Sequence, residues 1–75
     1  MRLSDLQPST KAIIKEITGD SVLKKRLLGM GLTSGVEIKV IRNAPLKDPI
    51  EIEVRGYKLS IRRSEAENVI VEVKE

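Results

Sequence analysis

Three glycines, Gly29, Gly31 and Gly35, stand in the segment RLLGMGLTSGVEIKVI, residues 26–41, and closely spaced glycines raise the question of phosphate chemistry. A phosphate cradle needs backbone N–H groups at the start of a helix, where free donors and the positive end of the helix dipole coincide. Here a helical pattern precedes the glycines and a strand pattern follows them. The spacing is G-x-G-x-x-x-G rather than G-x-G-x-x-G, and no G-K-[ST] follows. Gly29 or Gly31 is therefore expected to supply the left-handed residue that closes a helix, and Gly35 the turn into VEIKV.

The other chemistries fail on residue inventory. There is no histidine and no cysteine among the 75 residues, so transition-metal coordination through imidazole or thiolate is closed off and no disulfide can form. Carboxylates such as Glu51, Glu53, Glu65 and Glu67 suit a hard cation better than iron, and each has a structural reading as a cross-strand partner or helix-turn residue. Serine and threonine lack the usual neighbouring base for nucleophilic attack. Paired carboxylates would need a pocket that so small a core has little room to form. The chain is read as a non-enzyme, with no catalytic residue, no metal ligand set and no cofactor.

Nucleic acid is a more serious possibility, because Lys24, Lys25, Arg26, Arg42, Arg55, Arg62 and Arg63 could form a basic stripe. The formal charge is +3, from 14 Lys and Arg against 11 Asp and Glu, but the two signs are interleaved. Single-strand binders stack bases on aromatic platforms. This chain has one aromatic residue, Tyr57, which strand alternation turns inward. Nucleic acid is therefore not the expected partner, and the same lack of an aromatic groove argues against proline-peptide binding.

These residues must be positioned by a single domain, residues 1–75, since a chain of this length buries only about 60 % of the surface that it exposes when unfolded. The core stock is 24 Ile, Leu and Val residues, 16 of them β-branched, which favours strands. No run approaches the roughly 20 apolar residues of a membrane span, and MRLSDLQPST meets charge and proline before any signal-like apolar region could form. A soluble, cytoplasmic protein is expected.

Period-two alternation marks VEIKV, IEIEV and YKLSI as half-buried antiparallel strands, with Val36, Ile38, Val40, Ile50, Ile52, Val54, Tyr57, Leu59 and Ile61 facing one interior. KAIIKEI, residues 11–17, precedes them and VIVEV ends the chain. Arg55-Gly56 is a two-residue hairpin turn that sets Glu53 opposite Lys58 and Glu51 opposite Ser60. Between the first two strands, Asp20 caps a helix whose Leu23, Leu27 and Met30 fall at i, i+4 and i+7. Capping boxes are expected from Ser4 to Gln7 and from Ser64 to Glu67. The order is mainly β: five antiparallel strands, one helix after the first strand and a short helical turn before the last. By analogy of fold this matches a small SH3-like barrel, closed or partly closed.

RLLGMGLTSGVEIKV followed by NAPLKDPIEIEVRGYKLSIRRSEAENVIV resembles the FeoA family. The resemblance runs from Leu6 to Val73 and rests on the leucine pair with M-G-L, the glycine three residues on, the A-P-L-K-D-P-I arm, and R-G-Y followed by R-R. It implies an SH3-like barrel that docks on FeoB, a membrane transporter with a cytosolic G domain, and serves ferrous iron uptake. A related barrel closes iron-dependent repressors, which leaves a regulatory alternative, and metal carriage is a third reading.

A docking module needs exposed apolar anchors ringed by polar groups. Leu32, after the helix, and Leu46, between Pro45 and Pro49, lie outside all strand alternation. Each either docks or folds back as a lid over a barrel end. Pro45 and Pro49 stiffen the Leu46 arm and lower the entropy lost on binding. Arg55, at the hairpin tip, is a further partner-binding candidate, since guanidinium stabilises transferring phosphate charge. Self-association through an exposed edge strand stays open.

Overall fold

The structure, a computed structural model, describes residues 1–43 and 45–74. Ala44, which opens the A-P-L-K-D-P-I arm, and Glu75 lie outside the described residues. The strands are β1 (Lys11–Ile17), β2 (Glu37–Asn43), β3 (Ile50–Val54), β4 (Tyr57–Ile61) and β5 (Val69–Val73), with α1 (Ser21–Gly29) after β1 and a single turn, α2 (Arg63–Ala66), before β5. All pairings are antiparallel, in the order β4-β3-β2-β1-β5. The fold is mainly β, as the alternation requires.

Burial follows the pleat. Along β3 the apolar Ile50, Ile52 and Val54 are buried while Glu51 and Glu53 are only partly covered. Ile38 and Val40 from β2, Ala12 and Ile14 from β1, and Val69 and Val71 from β5 complete the inner face. Leu27 from α1 closes one side of this core, with Leu23 and Met30 packed beside it, the stripe expected from their spacing.

The hairpin register is the one its turn dictates: Glu53 faces Lys58 and Glu51 faces Ser60. Bulges between Ile14 and Glu16 and between Val40 and Arg42 bend the strands that carry them and curl the sheet. The sheet does not close, because β4 and β5 do not pair. The β5 edge is nevertheless covered. The Val71 N–H donates to the Met1 carbonyl at 2.7 Å and Arg2 bridges Ile70, so the amino terminus takes the edge of β5. The β4 edge is more open, with Tyr57, Lys58 and Ser60 exposed; Arg26 of α1 shares a cleft with Ser60 and Ile61, and a β-carbon on Gly31 would stand 3.3 Å from the Tyr57 hydroxyl.

Three expectations need correcting. Tyr57 does not face the interior but is 50 % exposed. It begins an edge strand immediately after the Gly56 turn, and its hydroxyl lies against the loop that follows α1 instead of entering the core. Both capping contacts fall two residues earlier than the sequence suggests. The Arg2 N–H donates to Asp5 Oδ2 at 3.1 Å and the Arg62 N–H donates to Glu65 Oε1 at 2.9 Å. The second shift has a clear cause, since Glu65 is drawn inward by α1 while Glu67 is left at the surface near Arg63. The Asp20 cap stands as expected, accepting from the Leu23 N–H at 2.8 Å. Among the described residues no helix is long and apolar enough to cross a membrane.

Candidate functional site

Leu32 and Leu46 have opposite fates. Leu32 is fully buried, 0 % exposed, and its N–H donates to the Leu27 carbonyl at 3.2 Å. The chain leaving α1 turns through Gly31 at φ 93 and drops this leucine onto the core, where it acts as a lid. Leu32 is therefore removed from the partner-binding candidates. Leu46 is 88 % exposed and holds a left-handed backbone, φ 64 and ψ 17. Pro45 beside it is also exposed.

A large apolar side chain is thus held out in solvent on a conformation that L-residues other than asparagine and aspartate rarely adopt. Its support comes from α2. The Arg63 N–H donates to Asp48 Oδ1 at 3.2 Å, and Arg63 Nη1 reaches the Leu46 carbonyl at 3.5 Å. Behind it, α2 is pinned by Arg26 of α1, whose Nε lies 3.1 Å from Glu65 Oε2. Glu65 Oε1 is taken by the Arg62 N–H, and the Glu65 side chain is only 8 % exposed. A buried carboxylate with both oxygens engaged acts as a structural clamp. Between arm, α2 and β4 lies a cleft of about 310 Å³ lined by Arg26, Asp48, Pro49, Arg62 and Glu65.

Sequence reasoning did not single out this clamp, and SEAEN by itself carries no signal of which glutamate will be buried. It also passed over Val22 and Leu28, both exposed on α1. Their signal was present, since both fall off the i, i+4, i+7 stripe.

Arg55 occupies the hairpin tip with φ 49. Its Nη2 stands 3.5 Å from Thr33 Oγ1, at the limit of a hydrogen bond. It lies on a second cleft, formed with β1 and β2, so the structure does not bring Arg55 and Leu46 into one site. Among the described residues no group of three or more acidic, histidine or cysteine side chains is placed to hold a metal ion.

Comparison with known proteins follows the same outline. Residues 1–73 match the model of the FeoA domain. The chain is 40 % identical over 73 residues, 97 % of its length, to a fusion protein of Fe(2+) transport protein A and Fe(2+) transporter FeoB from Porphyromonas gingivalis. It spans 9 % of that protein. A crystal structure of an iron uptake regulatory protein, FeoA, superposes with a TM-score of 0.91 at 34 % identity, covering 99 % of this chain and 97 % of the other. FeoA of Stenotrophomonas maltophilia, solved with zinc and described as an SH3 domain protein, superposes with a TM-score of 0.82 at 26 % identity, covering 96 % and 89 %.

Proposed function

Because the chain belongs to the FeoA family, associated with ferrous iron transport, we propose that it is an accessory module that docks on the FeoB transporter and acts without chemistry of its own. The observation that carries this reading is the fusion protein, in which a segment 40 % identical to this chain is joined to FeoB in one polypeptide. A domain that functions in covalent linkage to a transporter works in its immediate neighbourhood, where tethering supplies a high effective concentration.

The arm bearing Leu46 supports the same reading. A solvent-exposed leucine on a stiff, externally braced turn loses little freedom when it enters a pocket, so more of its burial is available as affinity. Its rim carries Arg63, which braces the arm, and a polar rim around an apolar anchor is the usual anatomy of an interface hot spot.

The test is capture of the purified chain by detergent-solubilised FeoB, with its G domain present and absent. Capture by the intact transporter is expected. Its absence with both forms overturns the docking reading. Leu46→Asp should weaken capture by about tenfold or more, the effect of losing a central anchor, with an unchanged folded spectrum. Undiminished capture would exclude Leu46 from the interface while leaving docking itself standing.

A further inference from the structure

The outer face of the sheet holds a second feature, remote from the Leu46 arm. Lys11 of β1 faces Lys39 of β2, Lys39 faces Glu53 of β3, and Glu53 faces Lys58 of β4, one continuous row across four strands. Directly opposed residues in an antiparallel pair bring their β-carbons to about 4.5–5.5 Å, where like charges destabilise the sheet. Lys11 and Lys39 are directly opposed in this way. Together with Glu37, Glu53 and Arg55 they line a cleft of about 460 Å³.

Among the described residues the cations of this row form no close ion pair. The ion pairs among the described residues engage Lys15, Arg26, Arg42, Arg63 and Lys74, and none engages Lys11, Lys39, Arg55 or Lys58. Of the two carboxylates in the cleft, Glu37 is already taken by Lys74 Nζ at 2.6 Å. Lys11 acts on Glu37 only as a weaker, through-space charge, and Glu53 faces Lys39 and Lys58 across the strands. The hairpin tip adds an independent observation. At φ 49, the first turn position of Arg55-Gly56 suits asparagine or glycine, yet an arginine occupies it, lining the same cleft with its Nη2 3.5 Å from Thr33 Oγ1.

We infer that the cleft between β1, β2 and the hairpin tip is a binding site for an acidic protein segment, with one carboxylate seated between Lys11 and Lys39 and a second on the Arg55 fork. A carboxylate has two oxygens and accepts one bond from each opposed ammonium, which converts a repulsive pair into a bridged one. Guanidinium presents parallel donors that match a second carboxylate. Nucleic acid fits less well. Glu53 stands in the same cleft and repels a continuous phosphate backbone, and no aromatic side chain lines it for stacking. A peptide can place its carboxylates only where cations wait.

The probe is a synthetic peptide alternating glutamate with glycine, titrated at low salt into the isotope-labelled full chain and followed by amide NMR. A serine-for-glutamate peptide and an oligonucleotide of similar length are titrated in parallel. Shifts should centre on Lys11, Lys39, Arg55 and Gly56 with the acidic peptide alone. The double variant Lys11→Gln with Lys39→Gln should weaken binding about tenfold or more, as loss of desolvated charge partners does. Lys24→Gln with Lys25→Gln, an equal loss of charge on α1, should leave the affinity within about twofold, since distant screened charges contribute little. Arg55→Asn should lower affinity while keeping the turn and raising the melting temperature. Absence of binding at low salt, shifts confined to α2 and the Leu46 arm, equal losses in both lysine pairs, or tighter binding of the oligonucleotide would overturn the inference. None of these outcomes bears on capture by FeoB, which is measured directly with the intact transporter.

Discussion

Leu46 illustrates how a single residue can carry a structural cost that its own surroundings do not repay. Its left-handed backbone costs an L-residue about 1–2 kcal/mol, and its side chain, 88 % exposed, recovers almost nothing by burial. Leu46→Asn should therefore leave stability unchanged or raise it by about 0.5 kcal/mol, because asparagine tolerates this region, while removing the apolar anchor. Urea denaturation read beside FeoB capture separates the two effects. Glycines allow the same kind of contrast. Gly29 ends α1 with open space around its α-carbon, so Gly29→Ala should stabilise by about 0.5 kcal/mol through helix propensity. Gly31 turns left-handed and a β-carbon there would press on the Tyr57 hydroxyl, so Gly31→Ala should cost about 1–2 kcal/mol. The sequence named both glycines as possible helix terminators but did not choose, because the choice depends on where α1 stops hydrogen bonding. Leu32 and Leu46 were equally ambiguous, both lying outside the strand pattern. Only the path of the chain through Gly31 distinguishes a lid from a projecting anchor.

Among the elements, the strands were legible because alternation, turn chemistry and β-branched content agree on the same segments. β3 and β4 have the register that a two-residue turn imposes. Less legible were the one-turn elements, whose few residues carry no period. The start of α2 was displaced by two residues because a tertiary contact, Arg26 with Glu65, decides which glutamate turns inward. That contact makes α2 depend on α1 for its place. Arg26→Ala should leave one Glu65 oxygen buried without a partner and destabilise the domain by about 1–2 kcal/mol, discounted from the fully buried case because Arg26 is itself 63 % exposed. It should also loosen the Leu46 arm, which rests on α2 through Arg63. Chemical denaturation measures the first effect, and faster amide exchange at Arg63 the second. Restoring the volume with Arg26→Met should not rescue either, since the loss is of charge pairing and not of packing.

At the scale of the whole molecule, the sheet is open and small, and its coherence depends on contacts that reach across strands. β5 lies two places from β2, with β1 between them. Lys74, just beyond β5, nevertheless pairs with Glu37 of β2 at 2.6 Å, and Lys15 of β1 pairs with Glu72 of β5 at 2.9 Å. These lysines hold the two carboxyls below the ordinary value of 4.5, first through the hydrogen bond and then through the charge, with Lys11 adding a smaller pull on Glu37. A carboxyl whose folded pKa is depressed binds its proton more readily in the unfolded chain. The unfolded state therefore takes up protons first as pH falls below about 4.5, and the stabilisation is fully present above that pH and lost as pH passes down through the folded values. Both groups lie at the surface, so the effect should be small and should shrink at high ionic strength. Melting temperature against pH should be flat near neutrality and decline below pH 4.5, with Lys15→Gln and Lys74→Gln together flattening the decline. A decline of unchanged depth in that double variant would move the acid sensitivity away from these two ion pairs.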